Sequence, residues 1–119
     1  MTGKPKLLLV DDERDILEFL VRVFRDCDCE TALNAQSALE VLRKGQFDVL
    51  VTDIKMPGGS GLSLIETAKT NWPDISIIVI TGHYQEMPAG IDKKVHQWIV
   101  KPFSVQSIRD AVMSSLKNH

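Results

Sequence analysis

The sequence predicts one α/β domain: a doubly wound parallel sheet of five strands with helices on both faces. Three observations predict it. Apolar runs of strand length alternate with stretches of helical period, as in parallel sheets built from strand–helix–strand units. The runs are close to continuously apolar, which is the pattern of strands buried on both faces. A length of 119 residues suits one domain, read as spanning 1–119, and is enough to bury a core without disulfide or metal staples.

The first strand is Leu7-Leu-Leu-Val10, an apolar run that ends in an acidic pair. Ile16, Phe19, Leu20, Val23 and Phe24 then recur at helical spacing behind an acidic start. A short second strand fits Cys29 to Leu33, and Ala38, Val41 and Leu42 mark a second helix stopped by Gly45. Phe47 to Thr52 reads as the third strand, running into Asp53. Met56-Pro-Gly-Gly-Ser-Gly61 has loop chemistry, with Ser60 placed to cap a helix from about Leu62 to Thr70. Ile75 to Ile80 is rich in β-branched residues and ends at Thr81; Trp98-Ile-Val100 is the last strand, followed by Lys101-Pro102. Ser104 caps a closing helix whose apolar face is Val105, Ile108, Ala111, Val112 and Leu116. Between residues 84 and 97, Pro88 and Gly90 interrupt a weak helical period, so a helix there is short or irregular.

A formal charge of −2 gives no footprint for direct nucleic-acid binding, and no apolar run approaches the ~20 residues of a membrane helix. The N-terminus does not read as a signal peptide, so the expected location is cytoplasmic. Cys27 and Cys29 have no second pair to complete a zinc site and read as reduced, incidental thiols.

Ligands of open α/β sheets bind at the carboxyl ends of the strands. Four polar features of this chain fall there: Asp11-Asp12, Asp53, Thr81 and Lys101, each breaking an apolar run at its last residue. Carboxylates that converge repel by ~4 kcal/mol per pair at about 4 Å and an effective dielectric of about 20. A cation with oxygen ligands compensates, and Mg2+ suits a few carboxylates plus waters and phosphate oxygens. Lys101 reaches into the same volume, Asp53 is a nucleophile competent toward phosphorus, and Thr81 offers a hydroxyl to a phosphoryl oxygen. The set amounts to a phosphoryl-acceptor site.

Val10-Asp-Asp-Glu13, Asp53-Ile-Lys-Met-Pro57 with Gly61, Thr81-Gly82 and Lys101-Pro-Phe103 resemble the receiver domain of two-component response regulators, in the same order and spacing over nearly the whole chain. The resemblance implies a strand order of 2-1-3-4-5. It implies Asp53 as phosphoacceptor, Asp12 as direct Mg2+ ligand, Asp11 acting through metal-bound water, and the backbone carbonyl of Lys55 as a further ligand. Thr81 matches the switch hydroxyl, Lys101 the phosphate-contacting lysine, and Trp98 the switch aromatic, more often Tyr or Phe; the Lys101-Pro102 bond is often cis in this family. The implied function is that of a phosphorelay receiver, not a turnover enzyme. Its phosphodonor is a histidine kinase or phosphotransfer domain, and its output a downstream protein, a fused output domain or a homodimer. Lys55 and His83 flank the site at positions where the family varies.

Other readings compete. The acidic pair also suits a helix start, Thr81 a Thr-Gly turn, Lys101 a surface charge and Trp98 a core position. A nucleotide or flavin binder would carry a Gly- or hydroxyl-rich phosphate loop where this chain has Asp-Asp-Glu-Arg-Asp. A phosphatase working through an aspartyl phosphate would need a substrate pocket that no segment supplies. The nearest alternative is a receiver-fold interaction module with little response to phosphorylation.

Overall fold

The computed structural model describes residues 3–54, 61–82 and 94–117. In chain order they form β1 (Lys6–Val10), α1 (Arg14–Val23), β2 (Asp28–Ala32), α2 (Ala35–Lys44), β3 (Val49–Asp53), α3 (Gly61–Asn71), β4 (Ser76–Thr81), β5 (Gln97–Val100) and α4 (Val105–Lys117). All four strand pairings are parallel and the order is β2-β1-β3-β4-β5, as expected. The short or irregular helix expected within residues 84–97 lies for the most part outside the described residues; Gln97 already belongs to β5.

Alternation along the buried strands builds two cores. Leu8, Leu50, Ile77 and Val79 face α2 and α3, together with Ala38, Leu42, Leu64, Ile65 and Ala68. Leu7, Leu9, Val49, Val51, Ile78 and Ile80 face α1 and α4, and there meet Leu17, Leu20, Phe24, Ile108 and Val112. Both faces of the central strands are therefore dry, which accounts for their unbroken apolar character.

Local chemistry sets the helix ends. Asn34 caps α2 by accepting a hydrogen bond from the Ser37 N–H at 2.8 Å, and Gly45 follows its last residue. Ser104 caps α4, its hydroxyl accepting from the Ser107 N–H at 3.0 Å. The Ser60 cap expected for α3 falls outside the described residues. Trp72 packs on the α2–α3 core at the turn into β4, and the Lys69 ammonium closes that turn by donating to the carbonyls of Pro73 and Ile75. Strand limits differ from the expected ones by a residue or two: β2 ends at Ala32, whose carbonyl accepts from the Asp11 N–H, and β3 starts at Val49 instead of Phe47.

Candidate functional site

The chain leaves β1 toward β2 on one side, and β3 lies on the other, so the gap beyond the carboxyl ends of β1 and β3 is the switch point of the sheet. Register decides what stands there. Val10 pairs with Thr52, so the next residues, Asp11 and Asp53, stand side by side. Asp53 pairs with Ile80 and Thr81 with Val100, which carries Thr81 and then Lys101 to the same edge. The Lys101 N–H donates to the Thr81 carbonyl at 2.8 Å, tying the lysine to β4.

Two backbone contacts hold Asp53 from below. Buried Thr52 donates its hydroxyl to the Asp53 carbonyl at 2.9 Å, and the Gly61 N–H donates to the Ile54 carbonyl at 2.8 Å. The second contact brings the start of α3 so close to β3 that a Cβ on Gly61 would collide with the Asp53 carbonyl oxygen and the Ile54 Cα. Glycine is required there by close approach.

The carboxylates converge. One oxygen each from Asp11, Asp12 and Asp53 lie within 4.8 Å of one another. Asp11 and Asp53 are 1% and 7% exposed, whereas Asp12 faces solvent. Lys101 Nζ donates to Asp53 Oδ2 at 2.9 Å and stands 3.7 Å from Asp11 Oδ2 and 4.0 Å from Glu13 Oε2. Burial pushes the Asp11 carboxyl up to about 6, against the opposing pull of the Glu13 N–H and the Lys101 charge; the neighbouring Asp53 charge adds to the rise. Partial burial works against the Lys101 ammonium. Even so, its hydrogen bond to Asp53 and the charges of Asp11, Asp53 and Glu13 hold its pKa above the ordinary lysine value. The donor set is all hard oxygen with an excess of negative charge, which fits a divalent cation of the magnesium type. No helix among the described residues is long and apolar enough to cross a membrane.

Asp11, Asp12, Asp53 and Lys101 thus meet as the sequence anticipated, and Thr81 stands at the end of β4, fully buried. Trp98 pairs with Val79 and is half-buried against the α2–α3 core. By strand alternation it shares the Thr81 face, two residues before Val100, the partner of Thr81. Its indole N–H is buried and has no acceptor among the described residues. Lys55 and His83 lie outside the described residues. The Lys101-Pro102 bond is cis. Cys27 and Cys29 are free, and burial pushes both thiols up, Cys29 to about 11, in line with inert side chains. Sequence reasoning missed Glu13 as a partner of Lys101. The available signal was a third acidic residue, after Asp12, at a helix N-cap where Ser, Thr, Asp and Asn are the favoured caps.

Fold and site together define a doubly wound α/β domain with a lysine-bridged carboxylate cluster at its switch point. The chain belongs to the response regulator receiver domain family, whose model matches residues 7–113. It is 31% identical over 123 residues to the response regulator protein PilR of Pseudomonas aeruginosa, covering 97% of this chain and 27% of PilR. It is 32% identical over 116 residues to the sporulation initiation phosphotransferase F of Bacillus subtilis, covering 93% of each. Among solved structures it resembles the response regulator TrrA of Thermotoga maritima in complex with Mg2+-BeF, at a TM-score of 0.87 and 28% identity, covering 94% of this chain and 99% of that one. The chain spans less than half the length of the first curated relatives it matches.

Proposed function

We propose that this domain is a phosphoryl-accepting switch of a phosphorelay, with Asp53 as the acceptor. The observation that carries the reading is the Lys101 ammonium, 2.9 Å from an Asp53 carboxylate that is itself nearly buried among two further carboxylates. A structural ion pair needs neither of those neighbours. Asp11, Asp12 and Asp53 would hold Mg2+, joined by the Lys55 carbonyl that the family resemblance implies. Bound there, Mg2+ would neutralise the carboxylates and draw charge from phosphoryl oxygens.

In the proposed transfer an Asp53 carboxylate oxygen attacks the phosphorus of the donor, forming a new P–O bond. The bond from phosphorus to the leaving atom breaks, and its electron pair departs with that atom: the imidazole nitrogen of a phosphohistidine, or the acetate oxygen of acetyl phosphate. One carboxylate charge is replaced by a phosphoryl dianion, and the leaving group takes up the balance. Lys101, relieved of the esterified oxygen, turns to the phosphoryl oxygens, where a positioned cation stabilises developing charge. Thr81 donates its hydroxyl to the same group, and Trp98, on the shared face with an N–H to satisfy, responds to that movement. The change biases two conformations only through contacts that differ between them.

The phosphodonor in this reading is a histidine kinase or phosphotransfer protein and the setting is the cytoplasm, where unpaired thiols persist. The domain turns over no substrate beyond its own modification and hydrolysis. Output passes to a partner protein, a fused domain or a second copy. Intact mass after acetyl phosphate and Mg2+ should rise by about 80 Da, one phosphoryl group, in the native chain and not in Asp53→Asn. Equal increments in both would remove Asp53 from the role. Incorporation without any change in Trp fluorescence, read in a Trp72→Phe background, would leave an interaction module in place of a switch.

A further inference from the structure

Glu13 occupies the N-cap of α1 but does not cap it. Its backbone N–H donates to Asp11 Oδ1 at 2.9 Å, its carbonyl accepts from the Leu17 N–H, and its side chain makes no capping hydrogen bond. The carboxylate extends instead toward Lys101 Nζ, with Oε2 at 4.0 Å, and remains 63% exposed. Lys101 therefore stands among three carboxylates, one in direct hydrogen-bond contact and two at ion-pair range. Of the three, Asp11 and Asp53 are already committed to the proposed metal and acceptor roles. Glu13 is left as a charge that acts on the lysine from the solvent side.

We propose that Glu13 is a positioning residue that holds back Lys101 and sets the balance between cation and phosphodonor in the site. The inference rests on the reading of Asp53 as phosphoacceptor. When a phosphoryl dianion approaches, Lys101 has to turn from carboxylate to phosphoryl oxygens, and Glu13 both competes for the ammonium and repels the incoming anion. The same charge favours a divalent cation. Loss of Glu13 charge thus acts with opposite sign on the two ligands, which a disturbance of α1 packing would not do. One unit charge at about 4 Å in water is worth roughly a fivefold change in an equilibrium constant, and it fades in high salt.

The test compares native chain, Glu13→Gln and Glu18→Gln. The last removes the same formal charge five residues further along the chain, within α1, and Glu18 is not among the ion-pair partners of Lys101 in the described residues. Magnesium titrations followed by Trp fluorescence and phosphorylation rates against acetyl phosphate concentration at saturating Mg2+ are read in low salt and in about 1 M salt. Glu13→Gln is expected to lower the half-saturating acetyl phosphate about three- to fivefold and to raise the half-saturating Mg2+ by a similar factor. Both effects should shrink in high salt, and Glu18→Gln should match the native chain. The proposal is overturned if Glu13→Gln changes neither constant, moves both in one direction, or is matched by Glu18→Gln. A native chain that takes up phosphoryl beside an unaltered Glu13→Gln removes this inference alone, whereas a native chain that takes up none removes the acceptor reading with it.

Discussion

With no cation bound, Asp11 should work against the fold at neutral pH, and removing its charge should stabilise the protein. The carboxyl is 1% exposed, and its pKa is pushed from 3.8 to about 6. A group that binds its proton more tightly when folded contributes stability that is complete below the unfolded pKa. That contribution is lost as pH rises through about 6. Two pKa units correspond to about 3 kcal/mol at most, and screening through the solvent around Asp12 brings this to roughly half. In Asp11→Asn the amide oxygen still accepts from the Glu13 N–H, so the backbone contact survives while the charge is gone. Urea denaturation in EDTA should therefore find Asp11→Asn about 1–2 kcal/mol more stable than the native chain at pH 7.5. The gap should narrow by pH 4.5, where native Asp11 is protonated in the fold. Adding Mg2+ should reverse the order, because the native chain alone keeps the full carboxylate set. A variant less stable than native at pH 7.5 in EDTA, or a gap that does not depend on pH, would refute this account of the site as electrostatically strained.

Gly61→Ala should cost about 3 kcal/mol or more in urea denaturation, since the added methyl meets backbone on β3 and no flexible side chain can yield; whatever folds should take up phosphoryl more slowly, because Asp53 moves with its own carbonyl. Arg109 donates to both Asp26 oxygens at 3.0 Å and to the Val23 carbonyl at 2.8 Å, tying α4 to the end of α1. The Arg109 hydrogen bonds hold Asp26 below the usual carboxylate range, so this contribution is present above the unfolded pKa and disappears as pH falls through the lower folded value. Arg109→Ala should accordingly be less stable than native at pH 7 and approach it in thermal melts taken in acid well below pH 4. Cys29, with its pKa near 11, holds a thiolate fraction of about one in a thousand at pH 8 and should react with a thiol reagent only slowly until the protein unfolds; fast labelling of the folded chain would contradict its burial.

Much of the molecule is written locally. Leu7 to Val10, Val49 to Val51 and Ile77 to Ile80 declare themselves as doubly buried strands because a residue type that cannot face water leaves the chain no other use for a short apolar run. The caps at Asn34 and Ser104 are equally local, as each side chain serves a backbone donor three residues on. Polar residues that end such runs were therefore legible one by one as strand-end groups. What no local pattern states is which strand ends are neighbours. Lys101 reaches Asp53 across 48 residues, and Arg109 reaches Asp26 across 83. The first contact exists because the register of β1, β3, β4 and β5 brings separate runs to one edge, the second because α1 and α4 pack into one core on the same face of the sheet.

The sequence by itself settled the layered α/β class and the residue types that meet at its carboxyl edge, because periodicity and burial act through near neighbours along the chain. Tertiary structure alone decided the close approach of Gly61 to Asp53, the rise in the Asp11 pKa and the turn of Glu13 away from its cap toward Lys101. Each of these depends on the distance and solvent exposure of groups far apart in sequence, and only the packed sheet sets those quantities.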